Sequence, residues 1–513
     1  MKMLEKFLNR LGYHKQIVKR EFDAASISRL TNDWTASFSD ANSQLRGGLK
    51  TMRDRSRDLE RNNDYARRFF GLLENNVLGH CGVGLQMKIR ELVRKDGKFT
   101  EQYDTRANQL IETHWKRFCS REFFSINKQH SGLASQFLAL RSTARDGSIL
   151  IRKHYPKSSP YHFAVELIEA DQLDTDYSTY MPAGKVVKLG KEYDAAGNLV
   201  AYYILKYHPG EFVQPVSLGV YRERVPADQI IHLFKPERVG QSDGFPWLVS
   251  SMLGLKHLAG YQEAALVNAR VAAAKMGFLK QMPNSTGTYP GQQASDGSRY
   301  METEPGVVEI LPQGMEFQSY DPSNPNTEYG NYVKAVLRGI SAGLEVSYNS
   351  LANDLENVNY SSIRAGLMEE REAWKKIQTW FIESFIQPIF YEWLKSSLAW
   401  GAITDGNLTL PAGKFDKFNA PEFKPRRWDW VDPLKDMQAD VLAVEKGFKS
   451  RRAIIAEQGG DIEDVFQDIA ADEQLAEDND LDFSPESSEQ ANKQPTTPDA
   501  PDDPKGALTK PKD

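Results

Sequence analysis

Residues 248–274 read LVSSMLGLKHLAGYQEAALVNARVAAA, and their apolar positions recur every three or four residues. This spacing places them on one face of an α-helix, which at 1.5 Å per residue would be about 40 Å long. The second half is rich in alanine, so neighbouring helices could approach it closely. We therefore predict a long packing helix with contact positions at Leu255, Ala259, Leu266, Ala269 and Ala273.

The chain after this helix alternates irregular and helical stretches. A Gly- and Pro-rich insert at 280–325 reads as a small projecting subdomain, and a second helix is predicted at 329–344. The polar segment SYNSLANDLEN at 347–357 reads as a loop between helices. A long helix then covers about 361–401. We expect it to kink at Pro388, because proline cannot donate the helical hydrogen bond.

The chain before residue 248 mixes helical and strand-like sequence patterns. Residues 85–245 alternate short helices with β-branched and aromatic runs such as SILIRKHY and LVAYYILKYHPG, which are typical of strands. Residues 45–78 mix both charge signs with apolar residues at helical spacing, and we expect their eight Lys and Arg residues to form a solvated face. Residues 1–40 read as a short helix followed by an arm. The predicted fold class is α+β.

Charge is distributed unevenly along the chain. Residues 461–513 contain 16 acids against 4 lysines, so this tail is −12, and the rest is about +6 because the total is −6. The Pro-, Ser- and Gln-rich tail buries too little apolar surface to offset its ordering entropy, so we expect disorder there, after a helical stretch at 434–458. A mildly basic body is not typical of a tight nucleic-acid binder. DNA, if it is a partner, should be held loosely.

Composition argues against several kinds of site. Cys81 and Cys119 are the only cysteines, and no Cys-x-x-Cys motif or Cys/His cluster occurs, so neither a usual zinc site nor a disulfide scaffold is expected. No run approaches the roughly 18 apolar residues of a membrane span, and the N-terminus lacks a signal-peptide core. We expect cytoplasmic folding without a metal, a cofactor or a membrane.

The motifs that suggest catalysis fail in their context. Residues 240–244, GQSDG, match the G-x-S-x-G pattern, but the preceding strand ends well before the serine and no histidine follows His257. No phosphate-loop sequence occurs, so ATP hydrolysis would need another protein. Glu369, Glu370 and Glu372 lie beside basic residues, and we expect them to be ion-paired on a solvated helix face. The chain is not expected to be an enzyme.

Seven short segments stand out in a fixed order along the chain. They are RSRDLERNNDYARR (55–68), NNVLGHCGVGLQ (75–86), LIEADQLDTD (167–176), YYI with HPG (202–204 and 208–210), VPADQIIHLF (225–234), ERVGQSDGFPWL (237–248) and NVNYSSIRAGLMEERE (357–372). Together they resemble the lambda-like family of bacteriophage portal proteins. Each segment alone is weak, but their shared order makes the resemblance specific. It leaves only the first 40 or so residues and the tail uncovered.

The resemblance implies a portal fold with wing, helical stem, clip and crown, which assembles as a ring around a central channel. The implied parts are an N-terminal arm 1–44, the wing 45–245, a first stem helix 246–278, the clip 279–325, a second stem helix 326–346, a tunnel loop 347–358, a long kinked helix 359–401, a return to the wing 402–433, the crown 434–460 and an acidic tail 461–513. The family ring is dodecameric, so a homododecamer is expected.

The function that the resemblance implies is mechanical. The ring would mark the unique capsid vertex of a virion, and double-stranded DNA would be packaged and ejected through it without sequence specificity. The implied partners are the terminase large subunit, the major capsid and scaffolding proteins, and later the head-completion and tail proteins. Because DNA must slide past for a whole genome length, each phosphate contact should be weak.

Two neighbouring stretches carry the expected contacts of such a ring. The short polar residues expected to face DNA are Asn349, Ser350, Asn353, Asp354 and Asn357. A simple connection between helices is the alternative for this segment. The residues expected to start the long helix and to pack between subunits, in preference to contacting DNA, are Asn359, Tyr360, Ser361, Ser362 and Arg364.

Two other functions remain as alternatives. A ring-forming nuclease would need a carboxylate cluster for Mg²⁺, a spacing that the sequence does not show, and metal-dependent cleavage of a plasmid would reveal it. A head-tail adaptor with no role in packaging would form a ring that recruits no ATPase.

Overall fold

The structure of the chain is a computed structural model that describes most of residues 38–478. The described ranges are 38–95, 98–212, 222–273, 277–283, 292–293, 295, 299–300, 314–319, 328–356, 359–428, 433–457 and 462–478. The predicted N-terminal arm up to residue 37, Asn357, most of the insert at 280–325 and the tail after residue 478 lie outside these ranges.

The described residues form α-helices of very different lengths. They are α1 (Ala41–Asn62), α2 (Asp64–Val77), α3 (Thr105–Phe118), α4 (Gly132–Asp146), α5 (Met252–Ala273), α6 (Tyr329–Gly343), α7 (Tyr348–Ala352), α8 (Tyr360–Phe381), α9 (Gln387–Ala399), α10 (Phe415–Phe418), α11 (Pro433–Glu445), α12 (Arg451–Glu457) and α13 (Ile462–Asp478). A π-helical turn at Ile382–Ile386 joins α8 to α9.

The strands form several small sheets. They are β1 (Gly84–Met87), β2 (Arg90–Lys95), β3 (Lys98–Tyr103), β4 (Ser148–His154), β5 (Ala164–Glu169), β6 (Thr179–Tyr180), β7 (Val186–Lys188), β8 (Lys191–Tyr193), β9 (Leu199–Leu205), β10 (Arg222–Pro226), β11 (Ile230–Phe234), β12 (Gly277–Gln281), β13 (Gln292–Gln293), β14 (Arg299–Tyr300), β15 (Met315–Ser319) and β16 (Pro421–Lys424). The larger sheets have the orders β10-β9-β8-β7-β6 and β11-β4-β5, and the pairs are β1-β16, β2-β3, β12-β15 and β13-β14.

The chain folds into two compact units, each made from separate stretches of sequence. The first contains the described residues up to Phe70, together with Leu138–His154 and Val165–Leu344. The second contains Gly71–Phe137, Tyr155–Ala164 and the described residues from Glu345 onward. Both helices and sheets contribute, so the predicted α+β class is confirmed. Residues of the predicted region 45–245 occur in both units.

The apolar core of the first unit draws on both larger sheets. Leu150 and Ile168 come from β4 and β5, while Tyr202 and Val225 come from β9 and β10, and all four are buried in one cluster. Alternate residues of a strand point to opposite faces of its sheet, so each strand gives one set of side chains to this core. The β-branched and aromatic runs that predicted strands are therefore the residues that bury them.

Helix α1 has a buried stripe that includes a charged residue. Leu45, Leu49, Arg53 and Ser56 are buried at spacings of three and four, as expected for one helix face. The side chain of Arg53 is only 1% exposed. The prediction that the basic residues of this helix are solvated is therefore wrong for Arg53.

The Arg53 guanidinium group meets acceptors from three distant segments. Its Nε donates to the backbone carbonyl of Asp146 at 2.8 Å. One Nη lies 3.4 Å from Asp171 Oδ1, and the other lies 3.6 Å from Asp243 Oδ2. One helical turn later, Arg57 pairs with Asp146 Oδ1 at 2.7 Å and also with Asp171. The two arginines thus hold the end of α4 and the turn after β5 against α1.

The fully buried Asp243 has two further neighbours with basic side chains. Lys191 Nζ and His232 Nε2 each lie 3.3 Å from its carboxylate oxygens. Burial alone would raise the pKa of Asp243, but the charge of Lys191, the contact with His232 and the charge of Arg53 outweigh it and hold that pKa well below its usual range. Burial lowers the pKa of Lys191 and that of His232. The ionic cluster consists of Arg53, Arg57, Asp146, Asp171, Lys191, His232 and Asp243.

Two glycines allow the backbone to approach itself at the edge of the ionic cluster. Gly147 has a φ of +90°, and a Cβ there would lie 2.5 Å from the Cα of Phe245. A Cβ on Gly244 would collide with the carbonyl of Gly147. Only glycine fits such close contacts and such a backbone conformation. The turn that carries Asp243 can therefore press against the junction of α4 and β4.

The core of the second unit is aromatic. Trp393 of α9 is fully buried, and its ring centroid lies 5.0 Å from that of Trp115, 5.7 Å from that of Phe390 and 5.8 Å from that of Phe118. Tilted and edge-on contacts between aromatic rings are favourable, and rings of this size bury a large apolar area. These contacts pack α9 against α3.

The long predicted helix is interrupted directly before its proline. In the π turn the backbone N–H of Gln387 bonds to the carbonyl of Ile382, five residues earlier. Pro388 follows in the first turn of α9. There its missing N–H is least disruptive, and the wider turn accommodates its ring. The structure thus places a π turn where the kink was predicted, directly before Pro388.

The predicted disordered tail needs a correction at its start. Residues 462–478, within the tail expected from 461 onward, form α13. Ile462, Val465, Phe466 and Ile469 recur at helical spacing in this acidic stretch. The expectation of disorder was based on the many acidic residues and did not take this helical spacing into account.

The ionic cluster predicts a large loss of stability when Arg53 is replaced. The variant Arg53→Met leaves buried carboxylates without their partner, so we expect the free energy of unfolding of the full chain to fall by about 3 kcal/mol. Urea denaturation followed by circular dichroism would measure this. The control is Arg46→Met, because Arg46 is exposed on the same helix. Equal losses in the two variants would contradict a central role for Arg53.

Candidate functional site

Helices α5 and α6 of the first unit pack in antiparallel directions. Toward the middle of α5, the ring of Tyr261 contacts Tyr329 and Tyr332, with centroids 5.7 and 4.8 Å away. Just before α5 begins, the hydroxyl of Ser251 donates to the carbonyl of Ile340 near the end of α6 at 3.3 Å. The two helices predicted from periodicity therefore form a pair.

Small residues set the distance between the two helices. The Ser250 hydroxyl donates to the carbonyl of Gly343 at 3.0 Å. A Cβ on Gly343 would lie 2.8 Å from the hydroxyl oxygen of Ser251, and a Cβ on Gly254 would lie 3.3 Å from Ile340. Side chains at these glycines would push the helices apart.

The predicted contact stripe of α5 divides into a buried part and an exposed part. Leu255 is fully buried within the first unit. Ala259, Leu266 and Ala269 are exposed, Leu266 by 54%. The side chain of Ala273 lies outside the described part of the chain. Only the exposed positions therefore remain available for contact with another molecule.

The polar segment 347–356, in the second unit, contains an ordered helical turn where an open loop was expected. The side chain of Ser347 caps α7 by accepting a hydrogen bond from the backbone amide of Ser350 at 3.2 Å. Leu351 is buried. Asn353 ends the turn in the left-handed region with a φ of 52°, which asparagine adopts more readily than most residues.

Ser350 is bonded on both sides within this unit. Its hydroxyl donates to Glu370 Oε2 of α8 at 2.9 Å and accepts a hydrogen bond from the Ser347 hydroxyl at 2.8 Å. Glu370 is only 8% exposed. Glu372, by contrast, is exposed and pairs with Lys375 at 2.5 Å. The expected solvated face is correct for Glu372 and wrong for Glu370.

The other residues predicted to face DNA have different environments. Asp354 Oδ2 accepts a hydrogen bond from the Tyr348 hydroxyl at 2.7 Å. Asn349 is half-buried and Asn353 is exposed. Asn357 lies outside the described residues. Within this segment the accessible amide donors are therefore the side chains of Asn349 and Asn353, and Glu356 is exposed as well.

The predicted helix-start motif coincides with the beginning of α8. The carbonyl of Asn359 accepts a hydrogen bond from the backbone amide of Ile363 at 3.1 Å, so Asn359 occupies the N-cap position. Arg364, the fifth residue of α8, is half-buried. The structure does not describe the side chains of Tyr360, Ser361 and Ser362.

The GQSDG turn is a structural element. The backbone amide and the hydroxyl of Ser242 both bond to the Asn42 side-chain oxygen, at 2.9 and 2.7 Å. The next residue, Asp243, lies in the ionic cluster, whose role was not predicted from sequence. The sequence signal that could have revealed the cluster is the position of Arg53 on the apolar stripe of α1.

Metal-binding clusters and membrane-spanning helices are both absent from the described ranges. There, no group of three or more His, Cys, Asp or Glu side chains is placed to hold a metal ion. Likewise, no helix in the described part of the chain combines the length and apolarity needed to cross a bilayer.

The helix pair predicts opposite effects for two glycines of α6. Gly343→Ala should lower the free energy of unfolding by roughly 1 kcal/mol, because its Cβ meets the Ser251 hydroxyl and disturbs the packing. Gly339 has open space around its Cβ position, so Gly339→Ala should raise stability by up to about 1 kcal/mol. Urea denaturation of both variants compares them. Stabilisation by both alanines would show that the α5–α6 contact is loose.

Solved structures with a similar chain include components of gene transfer agent (GTA) particles. One is the neck of a native GTA particle computed with C12 symmetry, with a TM-score of 0.40, 13% sequence identity and coverage of 79% of this chain and 93% of that chain. Another is the neck of an empty GTA particle computed with C6 symmetry, with a TM-score of 0.40, 13% identity and coverage of 83% and 95%.

Sequence relatives give a closer comparison. A probable portal protein of Halomonas phage phiHAP-1 is 32% identical over 460 residues, covering 88% of this chain and 86% of the relative. Portal protein B of Escherichia phage lambda is 22% identical over 445 residues, covering 80% and 81%. The family model described as phage portal protein, lambda family, matches residues 28–378. On this match and the identity to the phiHAP-1 protein, the chain belongs to the lambda family of phage portal proteins.

Proposed function

We propose that copies of this chain form the portal ring at one vertex of a phage capsid, and that double-stranded DNA is packaged and ejected through its channel. The family match over residues 28–378 carries this proposal. The phiHAP-1 and lambda relatives, which are named as portal proteins, agree with this proposal. We carry over the homododecamer of the family as the form of the ring.

An exposed apolar strip on α5 supports assembly into a ring. Leu266 and Val267 are 54% and 51% exposed in the single chain, and Ala269 beside them is exposed too. Contact between this strip and a different surface of the next copy is heterologous, and repeated rotation closes such contacts into a ring. In this proposal α5 and α6 form the stem, the insert at 279–325 forms the clip and residues 434–460 form the crown.

The polar segment 347–356 suits a surface past which DNA slides. Its accessible side chains include the neutral Asn349 and Asn353, which can donate hydrogen bonds to phosphate oxygens, and the anionic Glu356, but no cation. DNA binding strengthens steeply with the number of phosphates that are neutralised, so a cationic lining would hold the duplex in place. We place this segment in the channel, where it touches DNA without arresting it.

The proposed partners follow from the place of a portal in the virion. During assembly the ring would contact the major capsid and scaffolding proteins and would dock the terminase large subunit, which supplies ATP hydrolysis. After packaging it would bind head-completion and tail proteins.

Imaging of the purified full chain tests the proposed assembly. Negative-stain electron microscopy should show rings with a central channel, and classification of end-on views should give twelvefold symmetry. Rings of another symmetry would change the proposed number of subunits but would leave the proposed portal ring in place. Particles without a channel, at protein concentrations where phage portals assemble, would contradict the portal ring itself.

The exposed strip predicts a variant that folds but does not assemble. The double variant Leu266→Arg and Ala269→Arg places two charges in the proposed contact, so association should weaken at least about a hundredfold. Sedimentation velocity would then show single chains with unchanged circular dichroism. The control is His257→Arg, on the opposite face of the same helix. Normal rings from the double variant would place the strip outside the interface.

The polar segment predicts an effect of added charge on packaging. The variants Asn349→Lys and Asn353→Lys, combined, add two cations per subunit, so packaging in vitro at low salt should slow by at least about twofold. Higher salt should partly restore the rate, because ions compete with phosphate contacts. The matched control carries Asn349→Gln and Asn353→Gln. Equal rates for the lysine and glutamine rings would remove this segment from the channel.

A further inference from the structure

A buried carboxyl group on α8 has a position that packing alone does not explain. Glu370 is 8% exposed, although its neighbours Glu369 and Glu372 are exposed. Its Oε1 is buried and has no hydrogen-bond partner within the described part of the chain. Burying a carboxyl group is unfavourable unless hydrogen bonds compensate for the lost water. The bond from Ser350 to Oε2 is therefore the compensating interaction that the structure describes for Glu370.

The hydrogen bonds that end at Glu370 run in one direction. The Ser347 hydroxyl donates to Ser350, and the Ser350 hydroxyl donates to Glu370 Oε2. The Ser350 backbone amide also donates to the Ser347 oxygen, so the cap of α7 belongs to the same chain of bonds. A carboxylate is suited to the end of this chain, because it accepts hydrogen bonds and donates none when ionised.

The bond to Glu370 joins the polar segment to a helix twenty residues further along the chain. Asn349 and Asn353 lie on either side of Ser350, so the placement of Ser350 also sets theirs. We propose that Glu370 is a positioning residue, which acts through Ser350 to hold the segment 347–356 in the place where Asn349 and Asn353 meet DNA. This inference rests on the proposed channel role of the segment.

Substitutions at the two ends of this bond separate positioning from packing. Glu370→Leu keeps much of the volume and removes the acceptor, whereas Ser350→Ala removes the donor on the other element. Glu370→Gln keeps an oxygen that can accept the bond. Glu369→Leu is the control, because Glu369 is exposed on the same helix.

Hydrogen exchange on assembled rings of the full chain provides the direct measurement. The backbone amide of Leu351 bonds to the carbonyl of Ser347 within the segment. In Glu370→Leu and in Ser350→Ala this amide should exchange roughly tenfold faster, while α8 exchanges as before. Glu370→Gln should restore most of the protection, and Glu369→Leu should match the unchanged protein.

Two results would overturn the positioning role. The first is unchanged exchange at Leu351 in both Glu370→Leu and Ser350→Ala. The second is faster exchange throughout α8 in those variants, since Glu370 would then support its own helix. If Glu370→Leu fails to assemble, Glu370→Ala decides the question, because it removes the same acceptor, adds no volume and leaves the Ser347–Ser350 bond in place.

A packaging assay with the same rings tests the channel role of the segment 347–356 separately from the positioning role of Glu370. With the segment loosened, heads containing Ser350→Ala rings should package DNA at a rate at least about twofold different from that of the unchanged ring. Faster local exchange with an unchanged packaging rate would keep Glu370 as the positioning residue and would remove the segment from the channel. Unchanged exchange would overturn the inference and would leave the portal function as it stands.

Discussion

The burial of one guanidinium group constrains the whole first unit. Arg53 is almost fully enclosed, and its acceptors come from the end of α4, from the turn after β5 and from the GQSDG turn. A buried charge without partners is far more costly than the pair itself is favourable. These segments therefore stabilise one another through Arg53. The close contact of Gly147 with Gly244 belongs to the same requirement, because it brings Asp243 within range.

The helices could be predicted where the signal is local. The stripe that contains Leu255 recurs within one stretch of sequence, and the helical pattern after Ser361 does the same, so periodicity alone found α5 and α8. The position of Arg53 depends instead on acids more than ninety residues away. Nothing in the sequence near Arg53 shows which acids those are. A charge on an apolar stripe indicates burial, but only the fold identifies its partners.

The candidate site shows the same limit at closer range. Glu369, Glu370 and Glu372 look alike in sequence, yet only Glu370 is buried, because α8 turns that face toward α7. The segment around Ser347 is polar and reads as a loop, but a serine three residues before Ser350 can cap a short helix. Residue type predicted polarity correctly here. It could not show that some polar side chains bond to one another and that others are left to meet a partner.

The π turn between α8 and α9 determines which face of the helix the later side chains share. A π turn holds one residue more than an α-helical turn, so it rotates every later side chain by about 100° around the axis. Trp393 faces the aromatic core in that rotated frame. Loss of a single residue from Ile382–Ile386 would restore regular α-helical bonding and keep this ring facing Trp115, whereas a regular α-helix of unchanged length would turn the ring away. A relative can thus lose one codon at this turn and still keep the aromatic core.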